Sequence, residues 1–213
     1  MAMNNTAKQK DVATRGIKLV IFDLGGVVIN YSEDLYVKKL SKETGAPAEK
    51  ISRLLMRLDP LFDSGKISLK EFESKMAKSL KISKSSVKWA ESFYELSSLN
   101  MGTYRIMRKL RKRYKVVILS NISMPRYYAS LKIIRKDCCE RYFASCFLHM
   151  RKPERRIYMY VLGKMSAKPE EAVFIDNLRR NVRGAEAAGL KGILFKNAKK
   201  LEADLRKLRL RLD

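Results

Sequence analysis

Histidine, cysteine and long apolar runs are all scarce in this 213-residue sequence. His149 is the one histidine, and with no Cys or acid cluster near it a histidine-ligated metal centre has little support. Cys138, Cys139 and Cys146 are odd in number, two of them are adjacent, and their spacing matches no metal-ligand pattern. That argues against a disulfide framework and makes a reducing cytoplasm the expected setting. No stretch approaches the ~18 apolar residues of a membrane span. The first 16 residues are polar and basic with no apolar centre, so they read as a mobile leader rather than a secretory signal. Acids are sparse as well: 22 Asp+Glu stand against 46 Lys+Arg, a net charge of +24. Such an excess favours anionic partners and opposes casual self-association, without identifying a fold.

What is present is a globular pattern. The hydrophobic share of 46% is ordinary, and the length suits one α/β domain with a modest insertion. Lys18-Leu19-Val20-Ile21-Phe22-Asp23-Leu24-Gly25-Gly26-Val27-Val28 is an apolar, β-branched run that ends in a single carboxylate. A buried parallel strand reads this way, and open α/β sheets place their ligands at the C-terminal ends of such strands. Burying Asp23 without a partner would cost several kcal/mol, so the position invites a functional reading. The alternative is a helix N-cap.

Three more segments follow in order. Val116-Val117-Ile118-Leu119-Ser120-Asn121 is a strand ending in small polar residues, and Arg151-Lys152-Pro153-Glu154 leads into a helical segment, with Pro153 suited to its first position. Ala172-Val173-Phe174-Ile175-Asp176-Asn177 is again a strand ending in an acid. Singly, Ser120 reads as a cap, Lys152 as a solvated base and Asp176 as an N-cap; jointly, the series resembles the signature of the haloacid dehalogenase superfamily, from about residue 17 to 196. Gly65-Lys66-Ile67-Ser68-Leu69-Lys70-Glu71-Phe72, Met150 to Glu154, Ile157-Tyr158, Asn181-Val182, Gly184-Ala185 and Gly189 look like the branch holding the soluble epoxide hydrolase phosphatase domain and bacterial sugar-1-phosphate phosphatases.

The resemblance implies a Rossmann-like parallel sheet, built from residues 17–32 and 99–213, with a small helical cap at 33–98 inserted after the first strand. Strands are expected near 18–23, 116–120, 145–148, 172–176 and 192–195, and helices near 101–114, 124–135, 154–165 and 180–188. Within the cap, Gly45-Ala46-Pro47 and Asp59-Pro60 read as breaks between helices. Tyr31, Phe62 and Trp89 are candidate lining residues, although each fits a core better.

The implied activity is Mg²⁺-dependent hydrolysis of a small phosphorylated metabolite. Asp23 is then the nucleophile that forms an aspartyl-phosphate. Ser120 and the Asn121 backbone bind the phosphoryl oxygens, and Lys152 holds nucleophile and phosphate together. Asp23, the Gly25 carbonyl, Asp176 and, weakly, Asn177 hold the metal. Two positions depart from the pattern. Gly25 stands where a second Asp usually provides general acid–base help, typically worth ~10²–10⁴-fold. Asn177 stands where a second metal-binding acid is usual, so weaker Mg²⁺ binding is expected.

Arg151, Arg155, Arg156, Arg179, Arg180 and Arg183 gather near these motifs and suit an anion-concentrating rim or a solvated surface. His149 reads as a loop residue narrowing the pocket. A competing reading keeps the fold as a lapsed scaffold that binds nucleic acid or another polyanion through basic runs at 105–115 and 199–211. A third is a metal-independent dehalogenase-type hydrolase. Leu201, Leu205, Leu208 and Leu212 share a helical face that suits core packing, with a partner helix, a membrane surface or a dimer contact as the alternatives.

Overall fold

The computed structural model describes residues 16–83 and 89–213; the proposed leader, apart from Gly16, lies outside them. Five parallel strands form one sheet: β1 (Leu19–Phe22), β4 (Lys115–Ser120), β5 (Arg141–Ala144), β6 (Ala172–Asp176) and β7 (Lys191–Leu194), in the order β5-β4-β1-β6-β7. A short antiparallel pair, β2 (Ile29–Asn30) and β3 (Ser98–Leu99), joins the two ends of the helical stretch between them.

The three central strands are apolar on both faces. Val20 and Phe22 of β1 join one core cluster with Val116, Ile118, Val173 and Ile175, while Leu19 and Ile21 join a second with Val117, Leu119 and Phe174. The period of two thus feeds two helical layers. α8 (Arg155–Lys164) and α9 (Arg179–Ala187) cover the second cluster. α5 (Met101–Leu110) and α10 (Ala198–Lys207) cover the first.

Between β2 and β3 the described residues form four helices: α1 (Glu33–Thr44), α2 (Ala48–Asp63), α3 (Leu69–Leu80) and α4 (Trp89–Glu95). The start of α3 explains the Ser68-to-Glu71 motif: Ser68 N–H donates to Glu71 Oε2 at 2.8 Å and Glu71 N–H donates to Ser68 Oγ at 3.2 Å, a capping box. Asp59-Pro60 does not break the chain as expected. Pro60 lies inside α2, where Ile51, Leu54, Leu55, Leu58 and Phe62 keep one buried face intact across it. Tertiary burial outweighs the lost backbone bond.

The strand expected near 145–148 is also corrected. The strand is β5, and Ser145–Leu148 forms the short helix α7. Ser145 Oγ is fully buried, accepts from Ile122 N–H at 2.9 Å and donates to the Asp63 carbonyl, which turns the chain out of the sheet. An apolar run of three residues cannot distinguish helix from strand. Pro153 precedes α8 rather than opening it, because Glu154 is the N-cap.

The terminal leucine stripe is core: Leu201, Leu205 and Leu212 are buried, and Leu208 packs against the same cluster. It leaves no leucine face for a dimer. Among the described residues no helix is long and apolar enough to cross a membrane.

Candidate active site

Strand order brings the sequence motifs together. β4, β1 and β6 are adjacent, so Ser120, Asp23 and Asp176 stand side by side at the C-terminal edge of the sheet. Asp23 follows β1 directly, and its N–H donates to the Ile175 carbonyl at 2.8 Å, which locks it beside Asp176. Asp23 is 7% exposed and Asp176 is fully buried.

Lys152 reaches between them. Its Nζ donates to Asp23 Oδ1 at 2.5 Å and to Asp176 Oδ2 at 2.8 Å, with the side chain 1% exposed. The loop that delivers it is clamped by Asn121, whose Nδ2 donates to the Lys152 carbonyl at 2.9 Å and whose Oδ1 accepts from Lys152 N–H at 2.8 Å. Gly184 lets that loop approach α9, since a β-carbon there would sit 2.7 Å from the Pro153 carbonyl oxygen. Asp176 is held in turn: Oδ1 accepts from Leu178 N–H at 2.7 Å, and Oδ2 accepts from Asn181 Nδ2 at 2.9 Å.

One ammonium between two buried carboxylates leaves a net negative charge. Burial by itself would neutralise Lys152, but the charges of Asp23 and Asp176 and the hydrogen bonds to them hold it protonated, with its pKa raised. Asp23 is pushed up to about 7, by burial first, with Lys152 opposing and the Asp176 charge adding to the rise. Both directions follow from one cation shared between two anions.

These residues floor a cavity of about 620 Å³ that also takes in Gly25, Tyr31, Asn121, Arg151, Asn177 and Arg180. Ser120 is 4% exposed, and among the described residues its hydroxyl makes a single hydrogen bond, a 3.5 Å contact to the Asn121 carbonyl, so its proton is free for a better acceptor. Asn177 lies against Gly26, where φ is +77° and a β-carbon would fall 2.5 Å from Asn177 Nδ2. Among the described residues no three His, Cys, Asp or Glu side chains gather as a metal cage. The oxygens at hand are the Asp23 and Asp176 carboxylates, the Gly25 carbonyl and the Asn177 amide. Such a set, with waters, suits a small hard cation rather than zinc or a calcium cage.

Residues 17–189 match the family model of haloacid dehalogenase-like hydrolases. The chain belongs to that family. It is 24% identical over 193 residues to D-ribitol-5-phosphate phosphatase of Bacteroides thetaiotaomicron, covering 81% of this chain and 89% of that protein. It is also 24% identical over 196 residues to a sesquiterpene phosphatase of Aspergillus oryzae, covering 90% and 96%. A haloacid dehalogenase family enzyme of Bacteroides thetaiotaomicron, solved with magnesium and inorganic phosphate, superposes with a TM-score of 0.73 at 24% identity, covering 85% of this chain and 96% of that one.

Not every residue flagged in this hydrolase's sequence reaches the cavity. Of the six arginines, Arg151 and Arg180 line it, while Arg156 donates to Glu154 Oε2 at 2.5 Å and to the His149 carbonyl at 3.2 Å. His149 does not narrow the pocket; it ends α7 with φ +53° and places Nδ1 3.1 Å from the Ser64 carbonyl oxygen. Phe62 stacks on Phe72 in the core with ring centroids 4.4 Å apart, whereas Tyr31 does line the cavity. The Trp89 side chain lies outside the described residues. Sequence reasoning picked out Asn181 as part of a branch motif but not as a partner of Asp176, and it missed the group formed by Asp59, Asp63 and Arg126. The i,i+4 spacing of the two acids on an amphipathic helix was the available signal.

Proposed function

We propose that this hydrolase is a Mg²⁺-dependent phosphatase of small phosphorylated metabolites. The observation that carries the reading is the Asp23–Lys152–Asp176 cluster at the sheet edge, where one buried cation is shared by two carboxylates. A phosphate monoester brings its charge to a lysine already desolvated and fixed, so little reorganisation is needed on binding.

The roles follow from position. An Asp23 carboxylate oxygen attacks phosphorus, the ester P–O bond breaks, and the leaving oxygen takes a proton from water because Gly25 supplies no acid. Water then attacks the aspartyl-phosphate, and breaking its P–O bond releases phosphate and restores Asp23. The Ser120 hydroxyl donates to a phosphoryl oxygen, and Asn121 fixes the loop that presents Lys152. Asp23, Asp176, the Gly25 carbonyl and Asn177 would hold Mg²⁺, which when bound neutralises phosphoryl charge. Residues 33–98 act as a cap over a core of 17–32 and 99–213, with Leu55, Met56 and Phe93 from the insertion closing the cavity.

The test is phosphate release from a panel of small esters, with Mg²⁺ and with chelator, by the wild type and by Asp23→Asn. Turnover that needs both the metal and Asp23 supports the reading. Turnover that survives Asp23→Asn, or no turnover on any ester, rejects it.

A second reading has its own observation. α5 and α10 pack together, and beyond them the Tyr114 hydroxyl accepts from Arg211 N–H at 2.9 Å while Arg113 pairs with Asp213 at 2.8 Å. Two basic runs distant in sequence therefore form one surface. Its end near Lys115 lies a full strand below Ser120, about 17 Å at ~3.3 Å per residue. A polyanion held there would leave the cavity open. Duplex nucleic-acid binding that survives ~0.2 M salt would favour this reading.

A further inference from the structure

The helical layer over the first core cluster carries an outer face that the proposed chemistry does not use. Residues 101–136 hold eleven Lys and Arg and no Asp or Glu, in a chain whose acids number 22. This stretch builds α5, β4 and α6 (Met124–Leu131), and both helices pack on that cluster. The turn after α6 reaches α5: the Arg135 guanidinium lies 5.3 Å from the Tyr104 ring centroid, and the Tyr104 hydroxyl donates to Asp137 Oδ2 at 2.9 Å. Arg105, Arg108 and Lys109 are exposed on α5, and Lys132, Arg135 and Lys136 are exposed just past the end of α6.

Charge is only half of this face. Met124, Tyr128 and Leu131 fall at i, i+4 and i+7 on one side of α6, and each is 44% or more exposed. Phe147 of α7, 47% exposed, joins them through Tyr127, whose ring is edge-on to Tyr128 at 5.3 Å and to Phe147 at 5.0 Å. Four of the ten large apolar side chains exposed among the described residues thus share one patch. Exposed apolar residues scattered singly need no explanation, whereas a cluster marks a contact surface. Beside the patch, Tyr94 of α4 is 43% exposed and Lys132 Nζ lies 5.7 Å from its ring centroid.

We propose that this face docks on the surface of an anionic phospholipid bilayer. Met124, Tyr128, Leu131 and Phe147 enter the boundary between headgroups and acyl chains, and the lysines and arginines of α5 and the α6 end lie among the headgroups. Apolar and aromatic side chains flanked by cations suit that interface, and the two signals together hold what either alone holds weakly. A second copy of the chain is the poorer occupant, because it would press two acid-free faces together in a molecule already at +24. A nucleic-acid duplex would satisfy the cations and leave Met124 and Leu131 without an apolar partner. The patch shares no residue with the cavity, so docking and turnover are separable.

Cosedimentation of the full-length protein with vesicles tests this, using phosphatidylcholine alone and phosphatidylcholine with about 30% phosphatidylserine, at about 0.1 M salt. Partitioning onto the mixed vesicles is expected to exceed that onto the neutral ones at least about tenfold, since each cation at the surface contributes roughly fivefold. Tyr128→Ser together with Leu131→Ser should lower it about tenfold or more at unchanged charge. Lys132→Gln together with Lys136→Gln should also lower it about tenfold or more. All four positions are exposed, so an unchanged thermal midpoint is expected and confirms that the fold is kept. Equal binding to both vesicle types, no binding to either, or an advantage that survives the loss of Tyr128 and Leu131 would overturn the inference. Tighter binding of a DNA duplex that also survives that loss would assign the face to nucleic acid instead. A dimer seen by light scattering and abolished by that loss would assign it to a second copy.

Discussion

Replacing Lys152 with methionine keeps the length of the side chain and removes the one charge that Asp23 and Asp176 share. Both carboxylates are then buried with no paired cation among the described residues, Asp23 at 7% exposure and Asp176 at none. Breaking a buried pair by deleting one partner costs about 3–5 kcal/mol. For a chain of this size each kcal/mol moves the thermal midpoint by roughly 2–4 °C, so a fall of about 6–20 °C is expected at pH 8. The loss must depend on pH in a definite direction. Asp23 already titrates above its unfolded value in the native state, and without Lys152 it must rise further. An acid whose folded pKa is raised costs nothing below its unfolded pKa and destabilises increasingly as pH climbs towards the folded one. Scanning calorimetry of wild type and Lys152→Met at pH 5 and pH 8, without metal, should therefore show the larger gap at pH 8. A midpoint within about 2 °C of wild type at pH 8, or equal gaps at both values, would refute the shared-charge account.

Three further outcomes follow from the same site. Asp23 and Asp63 are both raised to about 7 by burial, so the metal-free protein should lose stability between about pH 4 and pH 7, and Mg²⁺ should flatten the part due to Asp23; equal midpoints at pH 5 and 7.5 would contradict this. Asn177→Asp restores a negative donor beside Asp23 and should tighten Mg²⁺ about tenfold or more in isothermal titration; unchanged or weaker binding would remove Asn177 from the donor set. Gly26→Ala forces a β-carbon onto a backbone with φ +77° and to 2.5 Å from Asn177 Nδ2. It should cost about 1–3 kcal/mol in denaturant unfolding, and a neutral result would show that the turn relaxes freely.

The sheet was legible because its central strands are buried on both faces. Leu19–Phe22 and Ala172–Asp176 are continuous apolar runs, each followed or closed by an acid, and such runs have few other uses. The placement of Asp23, Ser120 and Asp176 at those strand ends was legible for the same reason, since each stands where an apolar run stops. Edges were harder to read. β5 pairs on one side only, and the apolar residues just past it, Cys146 to Leu148, fold as a helical turn because Ser145 finds buried partners off the sheet. Pro60 misled because a local rule about proline yields to a five-residue buried face. The wall of the cavity formed by Asp59, Asp63 and Arg126 was hidden more deeply. Asp59 and Asp63 look like solvated helix acids until Arg126, 63 residues beyond Asp63, folds over them, and no local pattern encodes that meeting.

The most direct test of the account is to find the phosphoryl group on Asp23. The protein would be mixed with a turned-over ester and Mg²⁺ for a single turnover, quenched in acid, digested and analysed by mass spectrometry. A peptide carrying Asp23 should then be heavier by one phosphoryl group, gone after longer incubation and never formed by Asp23→Asn. Phosphate release with no such adduct at any time, or an adduct on another residue, would contradict it.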